Sequence, residues 1–269
     1  MKTVLILIVF TLIFAITSHI SFGKIADMGY NYLRFNMLIP IIIISLGAIA
    51  LFCFLFEKVK AYSLKAVYLK ATTSMLFIVL GAYSASQSNF RIFPMFVIIG
   101  LALGMIGDIC LDLKYVFKEK DFEFTIGGFV AFGLGHIAYI TGMFLEFYRG
   151  QGVLYIILPF VFGLLMGPVT MIISKFLKAE YGKIKPIAVV YAVLLFSMLA
   201  CGFSMWAMSG FTNTGFLMLF IGGALFATSD LILNMTYFTE GHEKPFDLIS
   251  NGITYYAAQY LIAFCILFL

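Results

Sequence analysis

The sequence predicts an all-α fold, a polytopic transmembrane helical bundle, on three observations. Of its 269 residues 63% are hydrophobic and only 11% charged, against about 45–50% and about 25% in ordinary soluble domains. The mean hydropathy is +1.07, so most of the surface suits lipid and a water-soluble fold is excluded. The apolar residues fall in runs of the length a bilayer requires, about 20 residues per helix, joined by connectors too short to hold a soluble domain.

Nine such runs are predicted, at 3–22, 37–56, 66–86, 92–113, 124–146, 153–173, 186–206, 211–233 and 248–268. The first follows Met1 and Lys2 directly, and Ser18, His19, Ser21 and Gly23 end it. Its apolar stretch from Val4 to Ile16 has the dimensions of a signal h-region, so a cleaved signal peptide or signal anchor is the alternative to a retained helix. The predicted organisation is therefore an extra N-terminal helix with its loop over 1–36 and an eight-helix membrane domain over 37–269. At membrane depth every backbone polar group must be satisfied inside these helices. Cys53, Cys110, Cys201 and Cys265 lie in apolar runs without metal-type spacing and read as small buried residues.

The basic residues orient the bundle. Lys2, Lys58, Lys60, Lys65, Lys114, Lys118, Lys120, Lys175, Lys178, Lys183, Lys185 and Lys244 fall on one side, while Lys24, Arg34, Arg91 and Arg149 fall on the other. This imbalance predicts a cytoplasmic amino terminus and cytoplasmic lysine-rich loops. The net charge of +4 forms no basic stripe with interleaved aromatics, so nucleic acid is excluded as a partner.

A few ionisable groups remain inside the spans, where each is a functional-site hypothesis by default. Lys70 lies near the start of the third run, Asp108 and Asp112 near the end of the fourth, His136 halfway along the fifth and Asp230 near the end of the eighth. Because alternate helices run in opposite directions, Lys70, Asp108, Asp112 and Asp230 all belong to the lysine-rich leaflet. Gly100, Gly104, Asp108 and Asp112 recur at a four-residue spacing, placing small residues and acids on one stripe where a neighbouring helix approaches. Gly223, Asp230 and Asn234 share a face of the eighth helix; Asn251, Tyr255 and Gln259 do so on the ninth, and His136 and Tyr139 are a turn apart. The segments Gly107-Asp108-x-x-Leu111-Asp112 and Ser229-Asp230-x-x-Leu233-Asn234 are also alike, with His136 and Gln259 following at matching distances. They suggest a parallel four-helix duplication.

These residues resemble the YhhN family of membrane proteins, which includes lysoplasmalogenases. The likeness runs through KATTSML from Lys70, GDICL at 107–111, GLGHIAYITGMF at 133–144, GGALFATSDLIL at 222–233 and TYYAAQYLIA at 254–263. It departs from the family pattern at Ala71, where proline usually follows the lysine, at Asp112, which has no clear counterpart, and in the first run, which is an addition to an eight-helix body. The resemblance implies cleavage of the vinyl ether bond of lysoplasmalogens to a fatty aldehyde and a glycerophospho-alcohol. It implies Asp108 and Asp230 as the catalytic pair, with Lys70, His136 and Gln259 around them; Asp112, Tyr139, Asn234 and Tyr255 complete the expected polar surroundings.

An enol ether reacts when its β-carbon is protonated, leaving an oxocarbenium ion that water captures. Such a site needs one carboxylic acid and one anion, the division of labour familiar from glycoside hydrolysis. No cofactor is expected; the expected partners are the lysophospholipid and the bilayer, with a homodimer as a further option. Two rival readings remain from the residues alone. Acids, a histidine and a lysine at membrane depth also make a proton relay, as in a proton-coupled transporter, and Asp, Asp and His could ligate zinc in a metal-dependent lipid hydrolase.

Overall fold

The computed structural model describes residues 30–239 and 244–269. The first predicted run, with its signal-peptide alternative, lies outside them, as do Lys2, His19, Lys24 and His242. The described helices are α1 (Tyr30–Lys60), α2 (Leu64–Gln87), α3 (Ile92–Val116), α4 (Asp121–Phe147), α5 (Val153–Phe176), α6 (Lys185–Met208), α7 (Thr214–Phe238) and α8 (Pro245–Phe264). Among the described residues there is no strand. All eight helices contain stretches long and apolar enough to cross a bilayer, and the chain is an integral multi-pass membrane protein.

Most of these helices outrun the apolar stretches that predict them. α1 continues through Lys58 and Lys60, and α3 through Lys114, because a lysine stem can lie along apolar surface while its ammonium reaches a polar site. Hydropathy marks where side chains turn polar, not where backbone hydrogen bonding stops. Local chemistry sets the ends. Ser63 caps α2, its Oγ accepting from Ala66 N–H at 3.2 Å, and Asn213 caps α7, accepting from Phe216 N–H at 3.0 Å. Pro186 and Pro245 stand in the first turns of α6 and α8, where proline lacks no needed donor. α7 starts later than its apolar run because Gly210 and Phe211 take φ values of 65° and 62° in the preceding turn.

α2, α3, α4, α6, α7 and α8 pack in a closed ring in that order, with α1 against α2 and α8 and α5 against α6. Exchanging α1 to α4 with α5 to α8 reproduces this order: α1 on α2 becomes α5 on α6, α2 on α3 becomes α6 on α7, α3 on α4 becomes α7 on α8, and α2 on α8 becomes α6 on α4. The ring order agrees with a parallel duplication, while the contact of α1 with α8 has no comparable counterpart between α5 and α4. α8 is the most enclosed span and α5 the least. α1 and α5 turn rows such as Leu46, Ile49 and Phe56, and Leu158, Leu164 and Leu165, outward, as expected where the solvent is lipid. Cys53 faces outward on α1 and is exposed, whereas Cys201 and Cys265 are buried; the expectation of burial fails for Cys53 because α1 is peripheral.

Helix contacts are close where glycine permits it. At Gly163 of α5 an added Cβ would stand 2.6 Å from Val193 O and 2.9 Å from Ser197 N, both backbone atoms of α6. Neither can move without shifting a helix. Gly163→Ala is therefore expected to destabilise the bundle by about 1–3 kcal/mol, read as a lowered thermal unfolding midpoint of the detergent-solubilised protein.

Candidate functional site

The site is built on α3. Its glycine stripe admits side chains instead of a bare helix face: the ring of Tyr139 fills the notch at Gly100, the Gln259 amide the notch at Gly104 and the Phe132 ring the notch at Gly107. One and two turns further on, the same face carries Asp108 and Asp112, only 2% and 3% exposed. The stripe predicted as a close-packing surface is where polar groups of α4 and α8 reach α3.

Lys70 of α2 lies between the two acids, its Nζ 3.3 Å from Asp108 Oδ1 and 3.3 Å from Asp112 Oδ1. Lys58 of α1 makes a short ion pair with the same Asp112 oxygen. Two ammoniums thus offset two carboxylates, which is how charge is tolerated at this depth. The second oxygen of Asp108 accepts from Ser74 Oγ at 2.6 Å and from Tyr255 OH at 2.8 Å. Behind Tyr255, Gln259 donates to its hydroxyl at 3.0 Å and accepts from Tyr139 OH at 3.1 Å. These hydrogen bonds run in one direction, from Tyr139 through Gln259 and Tyr255 to Asp108.

Asp230 of α7 has different company. Its Oδ2 accepts from Tyr191 OH of α6, and Tyr191 OH lies 3.3 Å from His136 Nε2. No described lysine or arginine pairs with it. Asn251 of α8 donates to Ser229 O at 2.8 Å and Ser229 Oγ at 3.0 Å, which fixes the turn of α7 that carries Asp230. One helical turn further, Asn234 accepts from Tyr181 OH at 2.6 Å, and that hydroxyl also meets Ser174 Oγ at 2.8 Å. By the offset of the two similar segments, Asp230 corresponds to Asp108 and Asn234 to Asp112. Lysines pair with the acids of the first half, and tyrosines with Asp230 and Asn234 of the second.

A cavity of about 40 Å³ joins the halves, lined among others by Lys58, Lys70, Asp108, Asp112, Asp230 and Tyr255. That is room for a few waters. Lys70, Asp108, Asp112, Tyr139, Tyr255 and Gln259 therefore form one network. His136 joins Asp230 through Tyr191, and Asn234 bonds apart from both. Sequence reasoning missed Lys58, which it assigned to a loop, together with Ser74, Tyr181 and Tyr191. Lys114, also assigned to a loop, is buried, with Asp121 at 3.6 Å and the Tyr237 ring beneath it. The available signal for Lys58 was the excess of acids over bases inside the spans, since Lys70 alone cannot offset both Asp108 and Asp112. Among the described residues no group of three His, Cys, Asp or Glu side chains is placed to hold a metal ion.

The model of the YhhN family matches residues 65–266. No curated protein and no solved structure matches the chain.

The buried pair of Lys58 and Asp112 generates a thermodynamic prediction. Asp112→Leu leaves Lys58 buried without its carboxylate and is expected to cost about 3 kcal/mol. Adding Lys58→Met should recover much of that loss, giving a strongly non-additive double-mutant cycle in thermal unfolding.

Proposed function

The chain belongs to the YhhN family, and from that premise together with the geometry of its polar cavity we propose that it is a membrane-embedded hydrolase of lysoplasmalogens. It cleaves the vinyl ether bond and releases a fatty aldehyde and a glycerophospho-alcohol. The observation that carries the reading is the unequal surroundings of two carboxyls on one cavity. Asp108 has a lysine and two hydroxyl donors, whereas Asp230 has a tyrosine and no cation among the described residues.

This inequality suits the reaction. Asp230 carries the proton and delivers it to the β-carbon of the enol ether, whose π electrons form the new C–H bond and leave an oxocarbenium ion at the α-carbon. Asp108, held as an anion by Lys70, Ser74 and Tyr255, stabilises that cation. Water adds to the α-carbon and passes a proton to the Asp230 carboxylate, restoring the acid. The hemiacetal then breaks its bond to the glycerol oxygen, which takes the hemiacetal hydroxyl proton, and the aldehyde leaves. Lys58 and Lys70 supply positive charge for the substrate phosphate, and the lysine count supports a cytoplasmic position for this end of the bundle.

Asp108→Asn and Asp230→Asn should each abolish aldehyde release from lysoplasmalogen, measured with purified protein, at unchanged membrane expression. Full turnover in both variants would sink the assignment. Tyr191→Phe removes the one hydroxyl among the described residues that bonds Asp230; kcat is expected to fall at least about tenfold with KM little changed. An equal rise in KM would instead make Tyr191 a binding residue.

A further inference from the structure

Resting on the reading above, we infer that a second, apolar groove beside Asp230 holds the aliphatic chain of a single-chain ether lipid. The groove runs between α4, α5, α6 and α7. Ala188 and Ala192, one turn apart on α6, form its floor, Thr170 and Met171 of α5 one wall, and Leu195 and Phe196 its far end. Leu231, on the outer face of α7, borders it and is 45% exposed. The groove is therefore open to lipid from the side, so a chain can slide in without crossing the polar cavity.

Asp230 lines both spaces, and Leu111, Phe132, Leu233 and Tyr237 do so with it. Along the two come lysines, then carboxyls, then a mainly apolar wall that also carries Thr170, Tyr191 and Asn234. That is the order of phosphate, vinyl ether and hydrocarbon tail in a lysoplasmalogen, where the reacting bond is the junction between polar head and chain. Only with the tail in the groove and the phosphate toward Lys58 and Lys70 does that junction fall at Asp230. The groove's depth points the same way: Phe196 lies about 16 Å along α6 from its start at the lysine-rich end, so the chain's end points toward the bilayer centre. At about 50 Å³ the enclosed part takes only a few carbons of one chain, and the rest lies along its open side.

The first experiment reads binding without turnover. The protein in phosphatidylcholine nanodiscs is photolabelled with a saturated lyso-ether phospholipid, which has no vinyl ether to cleave, bearing a diazirine on its chain. Adducts concentrated on peptides containing Met171 and residues 188–196 are expected; adducts spread over the outward faces of α1 and α5 would overturn the groove. The second experiment fills the floor. Ala192→Phe should raise KM for a long-chain lysoplasmalogen about tenfold while leaving a short-chain analogue within about threefold, and Ala188→Val should do the same to a smaller degree should the larger ring impair folding. Equal losses for both chain lengths, or no loss, would refute the placement of the chain. Failure of the wild-type protein to cleave any vinyl ether would remove the hydrolase reading, and the labelling pattern would still decide the groove.

Discussion

The ammonium of Lys70, 3.3 Å from a carboxylate oxygen of both Asp108 and Asp112, is the interaction on which the rest of the arrangement depends. Inside a bilayer two acids a turn apart on one helix could not both keep their charge unaided. With Lys70 from α2 and Lys58 from α1 beside them, four charges sum to zero and tie three helices together. The same cluster restricts what α3 can be. Its glycines must leave room for Tyr139, Gln259 and Phe132, because Asp108 draws one hydrogen bond from α8, backed by Gln259 and Tyr139, besides the one from Ser74 of α2.

The two halves of the ring share their packing order but not their electrostatics. Where the first half uses lysine and aspartate pairs, the second uses tyrosines with Asp230 and Asn234. Among the described residues Asp230 has a tyrosine for its partner and no lysine or arginine. One scaffold thereby sets two carboxyls in unequal surroundings on a common cavity, the inequality on which the proposed ether cleavage rests.

Much of this was readable from the chain. Eight of the nine predicted spans are helices, and Lys70, Asp108, Asp112, Tyr255 and Gln259 were singled out and lie together. The ninth span falls on residues outside those described. Lys58 was not readable, because hydropathy counts a lysine just past an apolar run as loop whether its ammonium turns to water or inward to Asp112. Tyr191 was one tyrosine among 15, with no spacing to distinguish it. Its meaning comes from Asp230 and His136, and neither is near it in sequence.

The sequence alone determined that the chain crosses a membrane repeatedly, which groups had no business in hydrocarbon, and that two similar segments carry them. Those are sums and periodicities over neighbouring residues, so they survive without coordinates. Only the tertiary structure decided the partners. Lys58 meets Asp112 across 54 residues and Tyr255 meets Asp108 across 147. Whether a buried carboxyl finds an ammonium or a phenol depends on how helices turn about their axes when they pack. That rotation places Lys70 against Asp108 and Tyr191 against Asp230, and no local pattern in the chain encodes it.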